Sequence, residues 1–280
     1  MVLTTMKYSE IVNELSRRGV DDAQLEAGVI LEELFGASRA DILLDRQREY
    51  DSEKIIPIIE QRGRKIPLQY ILGAWYFMGE RFEVSPDCLI PRPDTEIWVY
   101  EALKLIKSGD CVADLCTGSG CIGISMLKNK SEIASLTLVD ISSGALDMAK
   151  RNATLLGVDK KCTFILSDIT KSLPEGKYDL IASNPPYIPS EDIKALSDEV
   201  KNEPMLALDG GKDGLDIVRP LIDMAPKSLN CGGYLLIEFG YDQGEQISNI
   251  MEEKLKEGVY SSYKIIKDYG GNDRVLVAKV

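Results

Sequence analysis

The stretch CVADLCTGSGCIG, Cys111 to Gly123, decides how the chain is read. "CVADLC" reads as a strand, the glycines after it as a turn, and "CIGISMLKNK" as the helix that the turn opens. Gly118, Gly120 and Gly123 match G-x-G-x-x-G in the strand–turn–helix order that a nucleoside-binding βα unit needs. Asp140 ends the next strand-like run, 20 residues after Gly120. A carboxylate there can accept both hydroxyls of a ribose. A tight turn followed by an acid at a strand end is the purely structural alternative; the strand–turn–helix context favours the nucleoside site.

Outward from that unit, strands and helices alternate from Asp110 to the end. "SLTLVDI", "CTFILSD", "YDLIASN" and "GGYLLIEFG" read as strands, with the helices "GALDMAKRNATLLG", "DIVRPLIDMAPKSL" and "QGEQISNIMEEKLKEG" among them. Such alternation makes a mostly parallel sheet with helices on both faces, an α/β fold of Rossmann-like character. "SYKIIKDY" and "DRVLVAKV" are joined only by "GGND", and a short turn joins antiparallel strands, so the last of seven strands is expected to be antiparallel. Pro220 predicts a kink in its helix.

Residues 1–72 read instead as a small helical domain: "KYSEIVNELSRRG", "DDAQLEAGVILEELFG", "SRADILLDRQ" with a Ser38 cap, and "SEKIIPIIEQRGRK", in which Pro57 predicts a kink or break. Residues 73–93, short apolar pieces between Gly and Pro, read as a β-hairpin linker, and 94–280 as the sheet domain.

The chain has 280 residues, 44% of them hydrophobic and 28% charged, with net charge -12. An acidic chain disfavours free nucleic acid as the main partner, because phosphate binding draws on a basic face. No apolar run reaches the roughly 20 residues of a membrane span, and the N-terminus lacks signal-peptide features, so a cytoplasmic protein is expected; a monomer is expected too. Of the six cysteines, Cys111, Cys116 and Cys121 fall on a strand, a loop and a helix start, and there is no CxxC; no metal site is expected. With no histidine, a Ser–His or Cys–His nucleophile is impossible, and a general base must be a carboxylate, Tyr, Lys, Cys or water.

Two further strand ends carry chemistry. Asp168 follows the third strand and can accept from the amino group of a base, or serve as a turn residue. After the fourth strand comes "SNPPYIPS", Ser183 to Ser190. One proline would stop a strand; Asn-Pro-Pro-Tyr does more. The Asn184 oxygen and the Pro185 carbonyl can accept the two N–H groups of a planar NH2, and neither proline offers a competing N–H. Pro186 stiffens the turn and Tyr187 can pack on the flat substrate group. These groups all lie at carboxyl ends of strands, where open α/β sheets bind ligands.

"NPPY" resembles the signature of S-adenosylmethionine-dependent methyltransferases acting on amino groups of adenine, cytosine or glutamine, and "DLCTGSGCI" resembles their cofactor loop. "PLQYILG", "FEVSPDCLIPRPDTE", "NEPMLALDGGKDGL", "GGYLLIEFG" with Gln243 close behind, and "YGGNDRVLVAK" together resemble the release factor glutamine methyltransferases over nearly the whole chain. The resemblance implies a class I methyltransferase fold and transfer of a methyl group from S-adenosylmethionine to N5 of the glutamine in the Gly-Gly-Gln motif of bacterial class 1 peptide chain release factors. It implies that Asn184 to Tyr187 hold the glutamine amide. It places Cys116, Thr117, Gly118, Ser119, Gly120, Asp140 and Ile141 on the cofactor's methionine part and ribose, with Asp168 and Ile169 flanking the adenine and Asn184 beside the cofactor. The helical domain would dock the protein substrate. Cys116 departs from the family's usual Gly, so its backbone is expected to avoid positive φ or to be strained. A ribosomal-protein glutamine methyltransferase, a nucleic-acid adenine methyltransferase and an NAD-dependent oxidoreductase are the alternatives. "IPRPDTE" resembles the release-factor branch better than the first; the net charge of -12 argues against the second; "NPPY" has no use in the third.

Overall fold

The computed structural model describes residues 4–280, which divide into two compact units, 4–73 with 197–202 and 74–196 with 203–280. The first unit holds α1 (Tyr8–Arg17), α2 (Ala23–Phe35), α3 (Arg39–Leu44), α4 (Ser52–Gly63) and α5 (Leu68–Leu72). Ile11, Leu15, Ala27, Ile30, Leu31, Ile55 and Ile59 fill its core. Ser38 caps α3 as expected, accepting from Asp41 N–H.

Three details of this unit differ from the sequence expectation. It is not purely helical: β1 (Thr5–Lys7) and β2 (Glu49–Asp51) pair antiparallel, strands too short to show a period. Pro57 does not break α4, which is continuous from Ser52 to Gly63. Its ring faces solvent while Ile55, Ile58 and Ile59 anchor the helix, so packing outweighs the one lost hydrogen bond. Residues Ser197–Asn202, which sequence reading left in the sheet domain, belong here. Glu199 pairs with Arg62 at 3.1 Å, Arg62 also pairs with Glu26 at 2.6 Å, and Asn202 Nδ2 donates to the Lys65 carbonyl.

The second unit opens with a hairpin, β3 (Ala74–Phe77) and β4 (Glu80–Glu83), turned by Met78 and Gly79, both at positive φ as a two-residue hairpin requires. It is not a free linker: Phe77 and Phe82 are buried with Trp98, Val99 and Ile122 in one core of the sheet unit. Then follow α6 (Pro93–Leu105), β5 (Cys111–Leu115), α7 (Cys121–Asn129), β6 (Ser135–Asp140), α8 (Ser143–Leu155), β7 (Cys162–Leu166), β8 (Tyr178–Ser183), α9 (Val218–Ser228), β9 (Leu229–Glu238), α10 (Gly244–Lys256), β10 (Ser262–Lys267) and β11 (Asp273–Lys279). Pro220 is the third residue of α9, where its missing N–H has no intrahelical partner anyway, so it gives no cause for the expected kink; the proline inside the helix is Pro226.

The strand order is β10-β11-β9-β8-β5-β6-β7, with β11 antiparallel to both neighbours. One apolar core lies with α6 to α8, and a second, around Leu221, Ile222, Ala225, Ile247 and Met251, lies with α9 and α10. The chain runs from β5 outward through β6 to β7, then returns to place β8 on the other side of β5. The order therefore reverses between β5 and β8, and a crevice opens at the carboxyl ends of those two strands.

Candidate active site

Both sequence motifs sit at that reversal. The glycine turn leaves β5 and Asn184 leaves β8, with Leu115 and Ser183 in register and Ser183 Oγ donating to the Leu115 carbonyl at 2.8 Å. A cavity of about 430 Å³ opens there, of the size that takes a small-molecule ligand. Cys116, Thr117, Gly118, Ser119, Asp140, Ile141, Asp168, Ile169, Asn184 and Pro186 line it; Gly120, Pro185 and Tyr187 do not.

The turn is built from below by an acid that sequence reading passed over. Asp114 is fully buried; its Oδ2 accepts from Thr117 Oγ1 at 2.6 Å and from Gly123 N at 2.9 Å. A Cβ on Gly123 would come within 2.9 Å of the Asp114 Cβ, so the third glycine lets helix and strand approach closely. Burial pushes the Asp114 carboxyl up to about 7, against the pull of those two hydrogen bonds. Its Oδ1 is buried without a partner among the described residues. Buried Asn152 adds a second support, donating to the Ser119 carbonyl and exchanging hydrogen bonds with Glu83 at the end of β4. "CTGSG" alone shows neither support, since both partners are distant in sequence or outside the motif.

Cys116 takes the strained option, with φ 56. Asp140 Oδ2 accepts from Gly118 N and Oδ1 from Ser142 N, both at 2.9 Å, so the carboxylate first holds the turn and then has lone pairs left for a diol. Burial raises its pKa, and the same backbone N–H groups oppose that. Ile141 is half-exposed beside it, an apolar side chain on the cavity wall. Asp168 behaves as the turn residue that was its alternative reading. Oδ1 accepts from Thr170 N and Oγ1, Oδ2 pairs with Lys171 at 2.9 Å, and the Thr170 hydroxyl above all lowers its pKa to about 2. One acceptor direction on Oδ2 is left for a base amino group.

At Asn184 the geometry is different. Nδ2 lies 3.4 Å from Thr95 Oγ1, while among the described residues no hydrogen bond reaches Asn184 Oδ1 or the Pro185 carbonyl. Tyr187 points its hydroxyl toward Glu238 Oε1, at 3.4 Å, rather than into the cavity. Burial first, then the Glu238 charge, raises its pKa. The main chain of the motif is pinned from outside. Gln243 Nε2 donates to the Tyr187 carbonyl, Ile188 pairs with Asp209, and Gly214, at φ +76, lies so close that a Cβ would sit 2.2 Å from the Tyr187 oxygen. Across the cavity, Glu203 is buried, accepts from Ile90 N at 3.1 Å and pairs with Arg92. The motifs "IPRPDTE" and "NEPMLALDGG" are thus two halves of one wall.

The open turn and the acids fit the nucleoside part of a cofactor. A Cβ on Gly118 would meet nothing nearer than Cys88 at 3.9 Å, so the turn leaves space on its cavity side, and the acids Asp140 and Asp168 stand at successive strand ends.

Residues 99–202 match the methyltransferase small domain family, and residues 8–73 match the PrmC N-terminal domain family. The release factor glutamine methyltransferase of Geobacter sulfurreducens is 36% identical over 270 residues, 95% of this chain and 93% of that protein. That of Clostridium botulinum is 37% identical over 275 residues, 95% of each chain. Among solved structures, a methyltransferase from Pyrococcus furiosus superposes with TM-score 0.53 and 24% identity over 72% of this chain and 90% of that one. The human Mettl16 catalytic domain, solved with an RNA hairpin, superposes with TM-score 0.56 and 14% identity over 92% of this chain and 81% of that one. Those two likenesses establish the fold as that of class I methyltransferases. With the near-full-length identity to its bacterial relatives, the chain belongs to the release factor glutamine methyltransferase family.

Proposed function

We propose that this protein methylates N5 of the glutamine in the Gly-Gly-Gln motif of class 1 peptide chain release factors, with S-adenosylmethionine as donor. The observation that carries the reading is the pair of unfilled acceptors at the end of β8, Asn184 Oδ1 and the Pro185 carbonyl, beside a turn that fits the cofactor. An amide NH2 has two donors and a delocalised lone pair. It needs to be held rather than deprotonated in advance, and two fixed acceptors hold it. Oriented reactions of this kind gain about 7–11 kcal/mol.

The turn Cys116–Gly120 with Asp140 and Ile141 would hold the methionine part and ribose, and Asp168 with Ile169 the adenine. S-adenosylmethionine bound there supplies a methyl group on a sulfonium, a good leaving group. Asn184 Oδ1 and the Pro185 carbonyl orient the glutamine nitrogen, and the prolines prevent the loop from satisfying those acceptors itself. Ile90, Pro91, Leu206 and Ile217 make the apolar part of the wall and limit water. With no histidine in the chain, the amide proton leaves to water after nitrogen attack. The helical unit grips the release factor at a distance from the reacting glutamine.

The test is mass spectrometry of release factor and of a Gly-Gly-Gln peptide after incubation with isotopically labelled cofactor. A labelled methyl on the motif's glutamine is expected. A protein that labels neither substrate, or labels another residue, overturns the reading.

A further inference from the structure

Asn184 can offer its oxygen to a substrate only if its amide is turned the right way. The two ends of an asparagine amide have the same shape, so sterics alone do not choose between them. A chain of hydrogen bonds behind the residue does. Glu238, at the end of β9, is buried and accepts from Trp98 Nε1 at 2.8 Å and from Thr95 Oγ1 at 2.7 Å, both on Oε2. Tyr187 OH approaches Oε1 at 3.4 Å. With Glu238 ionised, Oε2 can only accept, from the indole N–H and from Thr95 Oγ1 alike. The single hydroxyl proton of Thr95 is therefore spent on Glu238. What Thr95 presents to Asn184 is lone pairs, and they select Nδ2, at 3.4 Å, over Oδ1. Oδ1 is left facing away, with no partner among the described residues.

We infer that Thr95, with Glu238 behind it, is a positioning residue that sets the orientation of the Asn184 amide so that its oxygen faces the methyl-accepting amide. The inference deepens the proposed function and rests on it. Sequence motifs scattered over 143 positions, Thr95 in "PRPDTE", Asn184 in "NPPY" and Glu238 in "LLIEFG", meet in this one chain of contacts. The direction of each bond follows from the one before it, beginning at the Glu238 carboxylate. Reversing any member would turn the amide and set an N–H against the N–H of the substrate.

The discriminating substitution is Thr95→Val, which keeps shape and removes the hydroxyl, with Thr95→Ser as the variant that restores it. For the Gly-Gly-Gln peptide, Thr95→Val is expected to lower kcat by about 30-fold while peptide KM and cofactor affinity stay within about threefold, because misorientation acts on the chemical step. Thr95→Ser is expected to recover kcat to within about threefold of the parent. A second measurement needs no turnover: hydrogen exchange of the Asn184 side-chain NH2 by NMR, assigned by its loss in Asn184→Ala. Exchange should be slow in the parent and in Thr95→Ser, and at least about tenfold faster in Thr95→Val. Parent-like kcat in Thr95→Val, equal impairment of both variants, a loss confined to KM, or unchanged NH2 exchange each overturns the inference. A parent protein that methylates no glutamine refutes the proposed function instead, and the exchange comparison then decides this inference alone.

Discussion

Gln243 Nε2 donates to the main-chain carbonyl of Tyr187 at 2.9 Å, while its Oε1 accepts from Gly240 N at 2.8 Å. One buried side chain so ties the loop after β9 to the loop after β8. Gln243→Ala should leave both backbone groups without a partner and cost about 1–3 kcal/mol. Thermal unfolding should show a lower Tm, and peptide kcat should fall because the Pro185 carbonyl is no longer held. Unchanged Tm and kcat would refute the pinning role.

Cys116 tests backbone strain. At φ 56 a side chain costs about 1–2 kcal/mol, and a β-branched one costs more. Cys116→Gly should be at least as stable as the parent in urea unfolding, whereas Cys116→Val should be less stable by more than about 1 kcal/mol. The reverse order would show that thiol packing, not the dihedral, governs this position.

Asp140→Ala removes a carboxylate that supports Gly118 and faces the cavity. Affinity for S-adenosylmethionine and for its demethylated product should drop together. Charge-assisted hydrogen bonds are worth about 1.5–3 kcal/mol, so calorimetry should record about 10- to 150-fold. Unchanged product affinity would make Asp140 a turn residue only.

Asp114 imposes a pH dependence. Its folded-state pKa, about 7, lies above the ordinary 3.8, so the folded protein binds this proton more tightly than the unfolded chain. Its contribution is most favourable below pH 3.8, declines as pH rises toward 7, and is level above that. Comparing denaturant unfolding of Asp114→Asn and the parent across that window should show the parent losing stability with pH faster than the variant. Parallel curves would mean that Asp114 stays ionised throughout.

The proposed docking role of the helical unit is best tested without truncation, because deleting residues 1–72 would strip Ser197–Asn202 of its packing partners. Leu43 and Leu44 are 57% and 86% exposed at the end of α3. The double substitution Leu43→Ser, Leu44→Ser should raise KM for intact release factor by about 10-fold, in line with two lost apolar contacts, and leave the peptide unaffected. Equal effects on both substrates would exclude these leucines from docking.

The alternation of strands and helices, the antiparallel last strand, the hairpin and the glycine turn were all legible in the sequence. Each rests on local properties: periodicity, glycine and proline placement, and the length of a connecting turn. "GGND" is too short to cross a sheet, so β11 had to reverse. The chemistry of Asn-Pro-Pro is likewise local, since prolines lack N–H groups wherever they lie.

What remained hidden depends on partners far apart in the chain. Asp114 looked like one strand residue among others until Thr117 and Gly123 were seen to converge on it. Pro57 and Pro220 carry the same local penalty on paper, yet neither interrupts its helix: one is outweighed by buried neighbours and the other falls where no hydrogen bond is lost. Tyr187 faces Glu238 instead of the cavity because a buried hydroxyl beside a carboxylate finds its partner there. The sequence by itself determined the sheet, the turn and the two acceptors. Only the tertiary structure brought Thr95, Asn184 and Glu238 into one chain of contacts, because these groups come from α6, the loop after β8, and β9.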